Sequence, residues 1–375
     1  MALEDITDFL KNRLAERESN NSLRSLTANT SLIDFCSNDY LGFARSPFLK
    51  KKITSILNNF PEYYSGSTGS RLISGNSEFL ESLEYYIAQY HQAEAGLIFN
   101  SGYDANLGLF SAIAERGDTI IADEYIHASI IDGIRLSNAN RYTFKHNDLQ
   151  SLEEKLKLAK GKVFIAVESV YSMDGDEAPL IDIVSLANRF GAALIVDEAH
   201  ATGIFGPGGR GIANELKIED QLFARIVTFG KALGVHGAIV LGSESLKSYL
   251  INYARSFIYT TASPFHTQVS IKAAYDLLED EKRSKILKEK ISYFDNNTKS
   301  LSVKIPSRSP IQSILIEGND RARSVAETIR SEGFDVRAIL HPTVPAGKER
   351  LRICLHTFNS DEEILILSDK LKTLI

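Results

Sequence analysis

Short apolar runs recur through the middle of the chain, and they constrain the fold more than any other feature. They lie near residues 95–99, 119–123, 163–168, 192–197, 225–229 and 237–241. Each has the length of a strand and is apolar at successive positions, which indicates burial on both faces of a sheet. Helical patterns such as LIDIVSLANRF at 180–190 separate most of them. This alternation predicts a mostly parallel sheet covered by helices on both sides.

The two ends of the chain predict a smaller α+β domain. A helical stretch runs from about 264 to 290, and the segments QSILIEG, FDVRAIL and RLRICL then alternate with helical patterns to the C-terminus. An amphipathic helix is predicted at 2–16. Because chain ends often return to each other, we expect residues 1–42 to pack with the small domain. Residues 43–270 would form the large domain and residues 271–375 the small one.

Charge and cysteine content exclude several classes of protein. The net charge of −6 argues against a general nucleic-acid binder. No apolar stretch approaches the roughly 18 residues of a membrane span, and the N-terminal MALEDITDFLKNRL has no signal-peptide core. Cys36 and Cys354 are the only cysteines, too few for a disulfide framework or a zinc site. We therefore expect a cytoplasmic protein with no membrane span, no nucleic-acid partner and no metal.

Two motifs resemble signatures of other classes. GPGGRG at 206–211 has the spacing of a dinucleotide-binding loop, but that loop must directly follow a strand, and HATGIF intervenes here. DEAH at 197–200 is found in some helicases, whose phosphate loop G-x-x-x-x-G-K-[ST] this chain lacks. No nearby cluster adds further metal ligands. A glycine-rich surface loop is the better interpretation of the first motif.

Charged side chains follow two of the predicted buried strands. Asp197 ends GAALIVD, Lys231 follows RIVTFG, and His200 lies between them in the chain. The carboxyl ends of parallel strands border the crevice where ligands of α/β proteins bind. Taken alone, such a lysine is more often a solvated surface residue, and such an aspartate is a helix cap or turn residue about as often as a functional one.

Together these residues meet the needs of pyridoxal phosphate. That cofactor needs a lysine for a Schiff base and an acid paired with its pyridinium nitrogen. It also needs phosphate donors at a helix N-terminus. The strand AGLIF runs into Asn100, Ser101, Gly102 and Tyr103, where a helical pattern begins. Pyridoxal phosphate is therefore the expected cofactor.

Longer segments, in a specific order, resemble the α-oxoamine synthases, a family of fold-type I pyridoxal-phosphate enzymes. The resemblance covers about residues 34–355. The matching segments are FCSNDYLGF at 35–43, GSTGSRLISGN at 66–76, NSGYDAN at 100–106, DEYIHASIIDG at 123–133, ESVYSMDGD at 168–176, VDEAHATGIFGPGGRG at 196–211, TFGKALGVHGAIV at 228–240, IYTTASP at 258–264 and LRICL at 351–355. It implies a large α/β domain with a mostly parallel seven-stranded sheet between helices, and a smaller α+β domain. It also implies a homodimer with shared active sites.

The resemblance gives roles to the residues nearest the ring of the cofactor. Lys231 would form the Schiff base and later move protons, and Asp197 would pair with the pyridine nitrogen. His200 would hydrogen-bond the ring hydroxyl, with Ser172 close to the same part. His127 would stack on the ring, although without the family it would be interpreted as a loop histidine that caps a helix.

The resemblance also assigns the phosphate and the substrate. Ser101, Gly102 and Tyr103 would hold the phosphate with Thr228, and Thr260 and Thr261 would reach the phosphate bound by the other subunit. Asn38 and Arg352 would bind the amino-acid carboxylate; without the family Arg352 would be a strand-edge arginine. Arg24 is either a contact for the far carboxylate of the acyl group or a surface residue. Tyr171 stands where the family often has phenylalanine, and His236 is best interpreted as a turn residue.

The implied reaction is the decarboxylative condensation of an amino acid with an acyl thioester carried by coenzyme A or acyl-carrier protein. The resemblance of GSTGSRLISGN and GPGGRG to the family members of biotin biosynthesis implies L-alanine and a pimeloyl thioester as substrates. The sister reactions, glycine with an acetyl thioester and serine with a palmitoyl thioester, remain open. The missing phosphate loop disfavours an ATPase or oxidoreductase, and the intact Lys231, Asp197 and His200 disfavour a catalytically dead binding protein.

Overall fold

The computed structural model of this chain describes residues 3–20, 22–24, 26, 31–278 and 282–375. The strands are β1 (Ile33–Asp34), β2 (Ala95–Phe99), β3 (Thr119–Asp123), β4 (Asn140–Phe144), β5 (Val163–Glu168), β6 (Ala193–Asp197), β7 (Ala224–Thr228), β8 (Ala238–Gly242), β9 (Ile311–Leu315), β10 (Phe334–Asp335), β11 (Arg337–Ile339) and β12 (Arg350–Cys354). The helices are α1 (Leu3–Ser19), α2 (Pro47–Leu57), α3 (Glu78–Tyr90), α4 (Gly102–Ala112), α5 (Ala128–Leu136), α6 (Leu149–Leu158), α7 (Leu180–Phe190), α8 (Ile212–Leu216), α9 (Glu244–Tyr253), α10 (Arg255–Ile258), α11 (Phe265–Leu278), α12 (Lys282–Thr298), α13 (Asn319–Ser331) and α14 (Asp361–Leu374).

The chain divides into a large and a small compact unit. The large unit comprises Asn38–Lys288 and His356–Phe358, and the small unit comprises the residues up to Ser37, Glu289–Leu355 and Asn359–Ile375. These limits differ from those expected after residues 42 and 270. Tyr40 belongs to the large unit because its buried hydroxyl contacts His200. The end of α11 belongs there because α11 packs against α2 and α3.

The large unit is built on a seven-stranded sheet with the order β2-β8-β7-β6-β5-β3-β4. Neighbouring strands are parallel except at β8, which is antiparallel to both β2 and β7. The predicted, mostly parallel sheet is confirmed. The apolar runs did not predict β4, because this edge strand is largely exposed and carries no continuous apolar run: only Phe144 among its residues is buried.

The helices α4 and α5 pack closely against each other beside this sheet. Leu109 and Phe110 of α4 and Ile130 and Ile134 of α5 are buried in the same apolar core as the strands. A Cβ atom on Gly133 of α5 would lie 2.9 Å from the backbone oxygen of Asn106 on α4. The glycine therefore allows the two helices to approach more closely than a larger residue would.

The small unit contains two sheets. The strands β11, β12 and β9 form an antiparallel sheet in that order, and β1 pairs with β10 in parallel. The helix α14 begins with a capping box in which Ser360 and Glu363 satisfy each other's backbone N–H groups. Within the described residues, no helix combines the length and the apolar character needed to cross a membrane.

Candidate active site

Two buried carboxyl groups lie side by side at the carboxyl edge of the central sheet. Glu168 ends β5, Asp197 ends β6, and the two residues are paired across these strands. Their exposed fractions are only 3% and 5%. Burial, together with the negative charge of Asp197, raises the pKa of Glu168 to about 8, although the positive charge of Lys231 and the backbone N–H of His127 oppose the shift. Glu168 is thus mostly uncharged at neutral pH, and the two groups avoid like-charge repulsion.

Asp197 is held in place by two hydrogen bonds. Its Oδ1 accepts from the backbone N–H of Ala199 at 2.9 Å, and its Oδ2 accepts from Asn106 Nδ2 at 2.8 Å. A buried carboxylate stabilised in this way can keep a proton on an adjacent pyridinium nitrogen, as the sequence prediction for Asp197 requires.

Lys231 begins a series of hydrogen bonds that ends at Asn38, within the matched segment FCSNDYLGF. Its Nζ lies 2.8 Å from His200 Nε2, and His200 Nδ1 lies 2.8 Å from the hydroxyl of Tyr40. That hydroxyl donates to Asn38 Oδ1 at 2.9 Å. The structure therefore brings together three residues predicted for the site and adds Tyr40, which the sequence analysis missed although it lies inside a matched segment.

His127 caps the N-terminus of α5. Its Nδ1 accepts from the backbone N–H of Ser129 at 3.2 Å and lies 2.7 Å from Ser129 Oγ. Burial lowers the pKa of His127; the positive charge of Lys231 lowers it further, and the negative charge of Asp197 opposes these effects. The histidine is thus a helix cap, as the sequence alone suggested, and also lies within electrostatic range of Lys231 and Asp197.

The start of α4 has the character of a phosphate-binding site. Ser101 is its N-cap residue, and a Cβ atom on Gly102 would lie 2.7 Å from Thr228 Oγ1 at the end of β7. Glycine is therefore needed for the helix to begin this close to the strand. The first-turn N–H groups of a helix have no partner within the helix and favour anions. This cradle, with two neighbouring hydroxyl groups, fits the phosphate of pyridoxal phosphate.

Three more predicted phosphate ligands lie near this helix start. The hydroxyl of Tyr103 donates to Asp132 on α5. Asn100 Nδ2 donates to Thr260 Oγ1 at 3.0 Å and to the backbone oxygen of Thr261 at 2.8 Å. Within one chain, Thr260 and Thr261 are therefore next to the residue that precedes the N-cap of α4.

Ser172 lies on a buried turn after β5 that is clamped by His146. His146 Nδ1 lies 2.9 Å from Asp123 Oδ1, and its Nε2 lies 2.7 Å from Asp176 Oδ2. Burial opposes the charged form, but the two carboxylates prevail and raise the pKa of His146 to about 9. No sequence signal pointed to His146, because its partners are 23 and 30 residues away along the chain.

The other residues of DEAH at 197–200 and of GPGGRG at 206–211, the two motifs that resemble signatures of other protein classes, have structural roles. Glu198 of DEAH is fully buried; its Oε1 accepts from the backbone N–H of Ala213 at 2.9 Å, and its Oε2 lies 3.5 Å from Arg225 Nη1. A Cβ atom on Gly211 would lie 2.5 Å from that carboxyl group. The glycine-rich segment is therefore a loop packed on Glu198. No group of metal-ligating side chains is present among the residues that the structure describes.

Other predicted residues lie elsewhere. Arg352 is on β12 in the small unit, where its Nη1 lies 3.0 Å from Cys354 Sγ. Arg24 is exposed in the segment after α1. His236 is exposed in the turn between β7 and β8, consistent with a turn residue.

Known proteins resemble the chain over nearly its full length. Residues 30–371 match the family described as aminotransferase class I and II. An 8-amino-7-oxononanoate synthase of Emericella nidulans is 44% identical, with 96% of this chain and 93% of the relative covered. The solved 8-amino-7-oxononanoate synthase of Francisella tularensis is 31% identical, with a TM-score of 0.78, and 92% of this chain and 99% of that chain are covered. A serine palmitoyltransferase of Sphingomonas wittichii has a TM-score of 0.89 at 26% identity, covering 100% of this chain and 98% of its own.

The sheet order, the strand-end lysine and the buried aspartate define the class of fold-type I pyridoxal-phosphate enzymes, and pyridoxal phosphate is the cofactor. The chain belongs to the class I and II aminotransferase family and, within it, to the α-oxoamine synthases. The resemblance stated from the sequence motifs is thus confirmed.

Proposed function

We propose that this chain joins L-alanine to a pimeloyl thioester with loss of carbon dioxide. The products are 8-amino-7-oxononanoate and the free thiol of the carrier. The observation that supports this most is the 2.8 Å contact of Lys231 Nζ with His200 Nε2, at the same sheet edge as the buried Asp197. It occurs in a chain that is 44% identical to a relative bearing the name of this synthase.

Pyridoxal phosphate, when bound, supplies an electron sink for negative charge at the α-carbon of the amino acid. Asp197, oriented by Asn106 and the Ala199 N–H, holds the proton on the ring nitrogen that makes the sink effective. Lys231 takes the α-proton of alanine and returns a proton to the product carbon. His200, which contacts Lys231 in this structure, would bond the ring hydroxyl with Ser172 close by, and His127 would stack on the ring.

The other predicted residues bind the two ends of cofactor and substrate. Ser101, Gly102, Tyr103 and Thr228 hold the phosphate at the start of α4. Asn38 and Arg352 bind the carboxylate of alanine, and a guanidinium group suits this task because it grips a carboxylate with two parallel hydrogen bonds. Fixing the carboxylate orients the α-hydrogen toward the base.

The enzyme acts as a cytoplasmic homodimer in which Thr260 and Thr261 complete the phosphate site of the partner. Large apolar side chains support this proposal: Tyr64, Ile73 and Tyr259 of the large unit have exposed fractions of 84%, 86% and 72%. Apolar surface of this kind is typical of a site covered by a partner. Coenzyme A or acyl-carrier protein delivers the acyl group.

The test measures kcat/KM for alanine, glycine and serine, each with acetyl, pimeloyl and palmitoyl thioesters. We expect alanine with the pimeloyl thioester to be the best pair. One methyl group in an apolar pocket is worth only about 1–3 kcal/mol, so glycine should react slowly rather than not at all. The acyl donor should discriminate more sharply, because the far carboxylate of pimelate cannot be buried unpaired.

Serine with a palmitoyl thioester is the second candidate, because the Sphingomonas serine palmitoyltransferase has the higher TM-score, 0.89 against 0.78. A tenfold advantage for this pair, or for glycine with an acetyl thioester, would refute the proposed substrates and leave only the family-level chemistry. Repeating the best pair with coenzyme A and with acyl-carrier protein as carrier identifies the natural donor.

A further inference from the structure

A continuous line of hydrogen bonds connects Asp197 to His127. Asn106 Nδ2 donates to Asp197 Oδ2 at 2.8 Å and to Ser129 Oγ at 3.0 Å. Ser129 Oγ in turn lies 2.7 Å from His127 Nδ1, and the Ser129 backbone N–H donates to the same nitrogen at 3.2 Å. This line thus links Asp197, which is proposed to keep the proton on the ring nitrogen, with His127, which is proposed to stack on the ring.

The charge of Asp197 determines the direction of every bond in this line. An ionised carboxylate only accepts hydrogen bonds, so the amide nitrogen of Asn106, not its oxygen, must face Asp197. The same nitrogen donates to Ser129 Oγ, which therefore accepts. The single hydroxyl hydrogen of Ser129 is then directed at His127 Nδ1, which must be unprotonated. A neutral His127 consequently carries its proton on Nε2.

The packing of the molecule holds this arrangement. The exposed fractions of Asn106 and Ser129 are 3% and 0%. Gly133 allows the close approach of α4 and α5 that brings these two side chains together. Asn106 Oδ1 is buried without a hydrogen-bond partner among the described residues. An unsatisfied buried acceptor is costly. The amide nevertheless keeps this orientation, because its nitrogen makes two hydrogen bonds, to Asp197 and Ser129.

We propose that Asn106 and Ser129 are positioning residues that transmit the charge of Asp197 to His127 and hold His127 neutral, with its proton on Nε2. The Nε2–H is then the only N–H donor of the ring available to the substrate. The lowered pKa of His127, caused mainly by burial, is consistent with a neutral ring. Asp197, Lys231 and Asp132 act electrostatically on His127, and Glu168 bonds its backbone N–H.

The direct test is ¹⁵N NMR of histidine-labelled full-length protein, with and without pyridoxal phosphate, with His127 assigned from the resonance missing in His127→Gln. We expect Nδ1 to resonate as an unprotonated nitrogen and Nε2 as a protonated one. Ser129→Ala should move both resonances toward those of exchanging tautomers, because only the 3.2 Å bond from the backbone N–H of residue 129 then remains at Nδ1. Ser129→Thr, which keeps the hydroxyl, should restore the wild-type pattern. Ser151→Ala is the matched control, since Ser151 is also a buried serine in the first turn of a helix but bonds the Lys145 N–H.

The kinetic part of the test rests on the proposed function, whereas the NMR part does not. Ser129→Ala should lower kcat/KM for alanine by roughly tenfold, the effect of one lost hydrogen bond to a functional group, with cofactor affinity unchanged. Asn106→Ala should lower both kcat/KM for alanine and the affinity for the cofactor, because it also removes a hydrogen-bond donor from Asp197.

A protonated Nδ1 in the wild-type protein, or a Ser129→Ala protein with unchanged His127 resonances, would overturn the proposal. If Ser129→Ala does not fold, Asn106→Ala provides the same NMR comparison. The predicted NMR pattern in a protein that does not use alanine would refute the proposed substrate but not the tautomer.

Discussion

At the scale of single residues, the site depends on which atom of each side chain carries a proton. Tyr40 has one hydroxyl hydrogen, and Asn38 Oδ1 can only accept it. His200 Nδ1 must then donate to Tyr40, which leaves His200 Nε2 as an acceptor for Lys231. The motifs predicted Lys231, His200 and Asn38, but not this coupling. Such hydrogen bonds form between residues far apart in the chain, so local pattern does not reveal them.

Tyr40→Phe is expected to change the protonation of Lys231 while leaving the cofactor bound. The ring of Tyr40 is fully buried, and phenylalanine keeps its packing while removing the hydroxyl. His200 Nδ1 then loses its hydrogen bond to the Tyr40 hydroxyl, which removes one restraint on the tautomer of the ring. The measurement is the pH titration of the visible absorbance of the cofactor-loaded protein, together with kcat, which should fall roughly tenfold.

Tyr249→Phe is the matched control for this variant, because its hydroxyl donates to the Ala112 backbone oxygen away from the site. An unchanged titration in Tyr40→Phe would show that His200 is oriented by another group.

At the scale of secondary-structure elements, the buried strands were predictable and the close approaches were not. Strands covered on both faces have continuous apolar runs, whereas the edge strand β4 and the contact of α4 with α5 have no such pattern. No sequence pattern predicts that Gly133 lies at a helix contact, yet a Cβ atom there would lie 2.9 Å from both Asn106 O and Phe110 Cβ. The need for a residue without a side chain at position 133 is visible only once α4 and α5 are packed together.

Gly133→Ala should therefore destabilise the large unit and weaken the Asn106–Ser129 contact. Overpacking of this kind typically costs about 1–3 kcal/mol, which exceeds the gain of up to about 1 kcal/mol from a better helix former. Chemical denaturation measures the change in the free energy of unfolding. The control is Ser111→Ala on α4. Gly117→Ala would not serve, because at a φ of +103° an alanine would strain the backbone. A more stable Gly133→Ala protein would contradict this account of the helix contact.

At the scale of the whole molecule, His146 should make stability depend on pH. Its pKa is about 9 in the folded chain against an ordinary 6.5, so its stabilising effect is complete below about pH 6.5 and is lost as the pH rises through 9. The loss should reach roughly 3 kcal/mol. Glu168 also titrates near pH 8. The quantity to measure is therefore the difference in the free energy of unfolding between wild type and His146→Gln. A difference independent of pH would show that His146 is not the charged clamp of the turn bearing Ser172.

Subunit complementation tests whether active sites are shared in a dimer. Lys231→Ala and the double variant Thr260→Val, Thr261→Val should each be nearly inactive. After subunit exchange, part of the activity should return, because one site of each mixed dimer then has an intact lysine and intact threonines. Mass spectrometry of differently tagged chains verifies the exchange. If exchange is proven and activity stays absent, each site is built from one chain, and the bond of Asn100 to Thr260 serves that chain alone.

The antiparallel strand β8 has a consequence for motion. Because β8 runs back beside β7, Lys231 lies in a short hairpin connection whose ends are tied by bonds from Phe229 N to Gly237 O and from Val235 N to Phe229 O. Rearrangements that accompany turnover must then occur in other segments around a lysine whose backbone stays still. The amide hydrogens of Phe229 and Val235 should accordingly exchange with deuterium only on the timescale of global unfolding, with or without bound substrate.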